Sequence, residues 1–128
     1  MSETLTVLYV DDEPDLRELA ELSLQLDEDI VVQVADSGFA ALELLDSGAC
    51  RPDVILLDVM MPGMDGPSVL EALRLRQALK SMPVIFITAR TQAQEASAYR
   101  AMDIVGFITK PFDPTTLASE VRRFLHGG

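Results

Sequence analysis

Apolar and polar positions along this chain fall into two alternating regimes. Nearly continuous apolar runs occur at 5–10 (LTVLYV), 30–35 (IVVQVA), 53–58 (DVILLD), 83–88 (PVIFIT) and 105–109 (VGFIT). Between them lie stretches whose apolar residues recur at three- and four-residue spacing, the period of an amphipathic helix. The first, 14–26, sets Leu16, Leu19, Ala20, Ser23 and Leu26 on one face. The second follows Ser37 and Gly38 and stops at Gly48. The third, 67–79, opens on Pro67, which suits a first helical turn because that position leaves no N–H to satisfy. A fourth, of weak amphipathicity, covers 91–102, and a closing helix runs from Pro114 into a glycine tail.

The pattern is βα repeated five times. Strands one, three and four are apolar on both alternations, as expected of a parallel sheet with helices over both faces. With short connections and right-handed crossovers, this predicts an α/β, doubly wound (βα)5 sandwich around a five-stranded parallel sheet. No linker, low-complexity stretch or compositional break divides the chain, so 1–128 is expected to form a single domain.

The parallel arrangement gives meaning to the polar residues that close each run. All strands of such a sheet end at one edge, and ligands of open α/β sheets bind there. Strand one ends in Asp11 and Asp12, strand three in Asp58, strand four in Thr88 and strand five in Lys110. Three carboxylates, a hydroxyl and an ammonium therefore converge on one rim. Unit charges ~4 Å apart repel by about 4 kcal/mol at an effective dielectric near 20. One lysine does not neutralise three acids, so a raised pKa or a bound cation is expected. Hard oxygen donors with open positions suit Mg2+. Asp58, from the central strand of the cluster, is then the candidate nucleophile toward phosphorus. The cation and Lys110 would stabilise charge on the transferring oxygens, and Thr88 would offer them a hydrogen bond.

Composition narrows the field in a few places. A formal charge of −11 argues against direct contact with nucleic acid. At 48% apolar but only 5% aromatic residues, the core must be built from Leu, Val, Ile, Ala and Met. Cys50 is the only cysteine. It excludes an intramolecular disulfide, suits a reducing, cytoplasmic compartment, and is read as a small apolar filler. No basic leader or span-length apolar run points to a signal peptide or a membrane. The methionines Met60, Met61 and Met64 are read as packing, and His126 as a solvated residue near the end of the closing helix.

The motifs VDDE (10–13), LLDVMMPGMDG (56–66), ITA (87–89) and KPF (110–112), in this order on these strands, resemble the receiver domain of two-component response regulators, the CheY-like superfamily. The resemblance runs from about Leu5 to Leu125. It implies a flavodoxin-like sheet of order 2-1-3-4-5. It matches Asp58 to the phosphoacceptor, and Asp12, Asp58 and the backbone carbonyl of Met60 to the direct ligands of Mg2+ (or Mn2+), with Asp11 acting through water. Thr88 matches the switch hydroxyl, Phe107 the switch aromatic and Lys110 the lysine that pairs with the phosphoryl group. The Lys110–Pro111 bond matches a cis peptide. The implied donor is a histidine kinase or a histidine phosphotransfer protein. The surface of the fourth helix, fifth strand and fifth helix would signal to a target or output domain, and is also the candidate face of a homodimer. Such a domain catalyses its own phosphoryl transfer and slow autodephosphorylation but works primarily as a signalling module. Two departures stand out. Asp103 and Ile104 replace a usual Gly-Ala pair before strand five, and Met60 and Arg90 occupy variable positions expected to influence dephosphorylation.

Other functions fit less well. An aspartate-nucleophile phosphatase or phosphotransferase of the haloacid-dehalogenase type needs Asp-x-Asp after strand one and usually a cap domain; here the acids are adjacent. A flavodoxin-like cofactor domain needs a Ser/Thr/Gly-rich phosphate loop where this chain has DDEPD, which repels phosphate. A receiver used as an unphosphorylated docking module would not need the complete acceptor set.

Overall fold

The computed structural model describes residues 4–89 and 102–126. Five parallel strands, β1 (Leu5–Val10), β2 (Ile30–Ala35), β3 (Val54–Asp58), β4 (Val84–Ala89) and β5 (Gly106–Lys110), form one sheet of order β2-β1-β3-β4-β5. The described helices are α1 (Pro14–Leu24), α2 (Gly38–Ser47), α3 (Gly66–Arg74), a short 3-10 turn (Gln77–Leu79) and α4 (Leu117–Leu125). The doubly wound α/β architecture predicted from the apolar pattern is therefore present. The expected helix over 91–102, apart from its last residue Met102, and Arg90 lie outside the described residues.

The sheet separates two apolar clusters, and side-chain alternation along each strand decides which cluster a residue joins. Leu8, Val10, Ile55, Leu57, Val84 and Phe86 pack with Ala41 and Leu42 of α2 and Val69, Leu70 and Leu73 of α3. Val7, Tyr9, Val54, Leu56, Ile85, Ile87 and Ile108 pack with Ala20 and Leu24 of α1 and Leu117 and Val121 of α4. Strands β1, β3 and β4 contribute to both clusters, which explains their unbroken apolar runs. Cys50 is buried in the first cluster as the small filler it was read to be, and burial pushes its thiol pKa up. Met61 is buried and Met64 packs against the same cluster, whereas Met60 is 63% exposed. His126 is exposed.

Several boundaries differ from the sequence expectation for identifiable reasons. Helix α1 stops at Leu24 rather than residue 26, so Leu24 takes the core position while Leu19 and Leu26 are 37% and 73% exposed. Helix α3 stops at Arg74. There the arginine side chains take over main-chain carbonyls: Arg74 donates to Leu79 O (2.9 Å) and Arg76 to Ala72 O (2.8 Å). Helix α4 begins at Leu117 rather than Pro114 because the Asp113 carboxylate accepts from the Thr115 N–H and hydroxyl, closing a local turn first. Strands β3, β4 and β5 each start one residue later than read, and β4 and β5 also end one later. Helix α2 is capped as its sequence suggests: Ser37 accepts from the Ala40 N–H (3.0 Å), and Gly48 closes the helix at φ 78°. At the departure before β5, Asp103 is exposed and held by Arg74, and Ile104 packs against the first cluster.

Candidate functional site

Each candidate residue reaches the rim because its strand delivers it there. Asp11 follows β1 directly, its N–H bound to Ala35 O of β2 at 3.1 Å. Asp58 is the last residue of β3, and Lys110 the last of β5. Thr88 pairs in register with Thr109. The loop after Asp58 is pinned to the sheet by the Val59 N–H to Ile87 O (2.9 Å) and the Gly66 N–H to Val59 O (2.9 Å). Gly66 is required there, since a Cβ would stand 2.9 Å from both Asp58 O and Val59 Cα. Asp65 then caps α3 by accepting from the Ser68 N–H (2.9 Å).

Strand alternation divides the candidates between the two faces. Asp11 continues the alternation of Val7 and Tyr9, Asp58 that of Val54 and Leu56, and Lys110 that of Ile108, all on the α1/α4 side. Thr88 follows Val84 and Phe86, and Phe107 packs with that same α2/α3 cluster. The Phe107 position pairs in register with Phe86. The Thr88 hydroxyl is fully buried and donates to Ala89 O at 3.4 Å. The Lys110–Pro111 peptide bond is cis.

The charged groups meet closely. Carboxylate oxygens of Asp11, Asp12 and Asp58 lie within 4.8 Å of one another. Lys110 Nζ stands 3.1 Å from Asp58 Oδ1, 3.3 Å from Asp11 Oδ2 and 3.7 Å from Glu13 Oε1. Asp11 is wholly buried and well supplied with donors: the Tyr9 hydroxyl reaches Oδ2 at 2.8 Å and the Glu13 N–H reaches Oδ1 at 3.0 Å. Arg17 donates to the Asp11 main-chain carbonyl at 2.8 Å. Burial, Asp11 and the hydrogen bond to it push the Tyr9 phenol pKa far upward, so Tyr9 acts as a donor at any physiological pH.

Asp58 is the outlier. It is buried, and its Oδ2 has no hydrogen-bond partner. Burial first, and then the Asp11 charge, push its pKa up to about 6, against the pull of Lys110 and the Met60 N–H. Lys110 is itself desolvated, which lowers its pKa, but Asp58 and Asp11 together outweigh that and raise it overall. The cluster thus carries more negative charge than its lysine offsets, on oxygen donors alone, with one buried oxygen left open. Such a set can hold a hard divalent cation.

Of the residues singled out in sequence, Asp11, Asp12, Asp58 and Lys110 come together. Thr88 and Phe107 sit on the opposite face of the neighbouring strands, and Met60 sits at the exposed start of the loop. Tyr9 and Glu13 were given no role from sequence. The signal for Tyr9 was available: it stands two residues before Asp11 and so shares its face.

Comparison with known proteins agrees with this geometry. The family described as the response regulator receiver domain matches residues 7–122. The chain is 34% identical over 125 residues to response regulator Rre1 of Synechocystis, covering 98% of this chain and 53% of that protein. It is 43% identical over 122 residues to the positive alginate biosynthesis regulatory protein of Pseudomonas aeruginosa, covering 93% and 46%. Among solved structures, chemotaxis protein CheY4 of Vibrio cholerae superimposes with a TM-score of 0.81 at 32% identity, covering 94% of this chain and 98% of that one. The chain spans about half the length of the curated relatives it matches. None of the described helices is long and apolar enough to cross a membrane.

Proposed function

This chain belongs to the response regulator receiver domain family, and on that premise we propose that Asp58 accepts a phosphoryl group from a phosphohistidine donor in the presence of Mg2+ (or Mn2+). The observation that carries the reading is the Asp58 carboxylate itself: buried, held through Oδ1 by Lys110, and with Oδ2 bare of hydrogen bonds. A carboxylate satisfied on both oxygens would be a structural ion pair. One held by a single oxygen and left bare on the other is set up to bond something else.

The residues that would hold the cation are Asp12, Asp58 and the Met60 carbonyl directly, with Asp11 through water. When bound, the ion supplies positive charge to the oxygens of the transferring group. Asp58 forms the O–P bond as the donor's N–P bond breaks, and the imidazole leaves with the electron pair. Lys110, already beside Asp58, pairs with the phosphoryl oxygens as the carboxylate charge is lost to the acyl bond. Thr88, whose hydroxyl donates to Ala89 O at 3.4 Å, is the group that would leave that partner and turn across the rim toward the new anion. Phe107, on the same face as Thr88, is the element through which that turn reaches the β5 edge. The acyl phosphate carries a charge of about −1.5 to −2 where the carboxylate carried one, a net gain of at most about one negative charge that is moved outward onto three oxygens and can bias a two-state surface.

On this reading 1–128 is one receiver domain acting in the cytoplasm. It receives from a histidine kinase or phosphotransfer protein and signals through the surface containing β5 and α4 to a target, an output domain or a second copy. The chain's own chemistry extends to slow hydrolysis of its acyl phosphate. The test is intact-protein mass spectrometry after exposure to acetyl phosphate and Mg2+. Wild type should gain one phosphoryl group and Asp58→Asn none; undiminished labelling of Asp58→Asn rejects the assignment.

A further inference from the structure

One buried polar contact near the acids is not accounted for by the phosphoryl chemistry: the hydroxyl of Tyr9. Tyr9 is completely enclosed within β1, between the buried Leu8 and Val10. A phenylalanine would fill the same volume without bringing in a hydroxyl that must find a partner. That hydroxyl is satisfied by Asp11 Oδ2, at 2.8 Å.

The Asp11 carboxylate is gripped from three directions. Tyr9 comes from β1 below it, the Glu13 N–H from the loop beyond it at 3.0 Å, and Lys110 from β5 at 3.3 Å. Lys110 and Tyr9 share the same oxygen, Oδ2. The Tyr9 ring is wedged in turn by Phe112, which stands edge-on at 6.4 Å between centroids with planes inclined at 70°, and which is itself buried. Ring and hydroxyl are therefore fixed, and they fix the rotation of the carboxylate about its own axis.

Resting on the cation site proposed above, we propose that Tyr9 is a positioning residue for the divalent ion, holding the buried Asp11 carboxylate in the orientation that faces Asp12 and Asp58. Without the phenol, Oδ2 answers to the Lys110 ammonium alone. The carboxylate then turns toward Lys110 and away from the ion, and it competes with Asp58 for the same lysine. Partners of direct metal ligands typically change metal affinity by roughly 10–100-fold; Tyr9 acts one step further out, through a carboxylate that meets the ion by way of water, and its effect belongs at or below the lower end of that range.

The experiment is Mn2+ titration, followed by the EPR signal of the free ion, on wild type, Tyr9→Phe, Asp11→Asn and the double variant. Tyr9→Phe should weaken binding by roughly 3–10-fold, and should add no further loss once Asp11 is Asn, because the effect passes through that carboxylate. Equal affinity of wild type and Tyr9→Phe overturns the inference. So does a Tyr9→Phe loss of the same size in the Asp11→Asn background, which would mark a general packing effect. Failure of wild type to bind Mn2+ overturns the cation site itself, a result distinct from either. Should Tyr9→Phe not fold, the wild-type chain carrying 3-fluorotyrosine supplies the second measurement. The Tyr9 fluorine resonance should move on adding Mg2+ in wild type and stay fixed in Asp11→Asn; an unmoved wild-type resonance overturns the inference.

Discussion

Replacing Asp58 by Asn removes a charge that the folded chain tolerates poorly. In the folded state the Asp58 pKa is pushed from 3.8 up to about 6, chiefly by burial and by Asp11. At about 1.4 kcal/mol per pH unit, that gap corresponds to about 3 kcal/mol. A carboxyl whose pKa is raised by folding binds its proton more tightly in the native state. Its contribution to stability is therefore fully present below the unfolded pKa and is lost as pH rises through the folded one. For Asp58 the loss falls between about pH 4 and pH 6 and is complete at pH 7.5. Asparagine keeps the shape and stays neutral, so Asp58→Asn in EDTA should be more stable than wild type at pH 7.5 by about 2–3 kcal/mol, and the two should converge near pH 4. Urea denaturation followed by far-UV circular dichroism measures both ends of this range. A variant that is less stable than wild type at pH 7.5, or a difference that does not change with pH, would refute the reasoning: Asp58 would then be a stabilising ion-pair partner of Lys110 rather than a strained one. Saturating Mg2+ should narrow the gap at pH 7.5, because an ion that binds only the folded wild-type site stabilises it by mass action.

Three further substitutions probe how the site and the segment before β5 are held. Gly66→Ala places a Cβ 2.9 Å from the main chain at Asp58 and Val59, neither of which can swing aside; it should cost about 1–3 kcal/mol and slow acetyl-phosphate labelling of Asp58, and wild-type labelling would show that the loop tolerates the shift. Arg74 donates to the carbonyls of Leu79 (2.9 Å) and Asp103 (2.8 Å) and lies 3.0 Å from the exposed Asp103 carboxylate. Arg74→Ala should therefore cost about 1–2 kcal/mol in urea denaturation and Asp103→Ala no more than about 0.5 kcal/mol; equal costs would mean that the surface ion pair, and not the carbonyl contacts, fastens the segment before β5.

The sequence made the sheet and the acid cluster legible for one shared reason. Strands buried on both faces must be apolar at every position, so the first polar residue after each run marks both the end of the strand and the open edge of the sheet. Asp11, Asp58, Thr88 and Lys110 were found in this way. Residues that broke the rule were missed. Tyr9 counted as one more apolar residue in LTVLYV, and its hydroxyl carries meaning only through its parity with Asp11. Helix ends were blurred where side chains intervened, since no periodicity foretells that Arg74 and Arg76 would take up carbonyls at the end of α3 or that Asp113 would form a turn before α4. The exposed Leu26 looked like a core position until α1 stopped short of it.

The strand order carries a consequence for how the molecule is assembled. From β3 onward each strand joins the same growing border of the sheet, and β5 is the outermost on that side. A chain leaving the ribosome can thus dock its strands in the order they are made, yet the ammonium that faces Asp11 and Asp58 arrives only with the last of them. A sheet without β5 would hold Asp11 and Asp58 lacking that counter-charge, so the outermost strand completes the electrostatics of the rim as well as its backbone pairing.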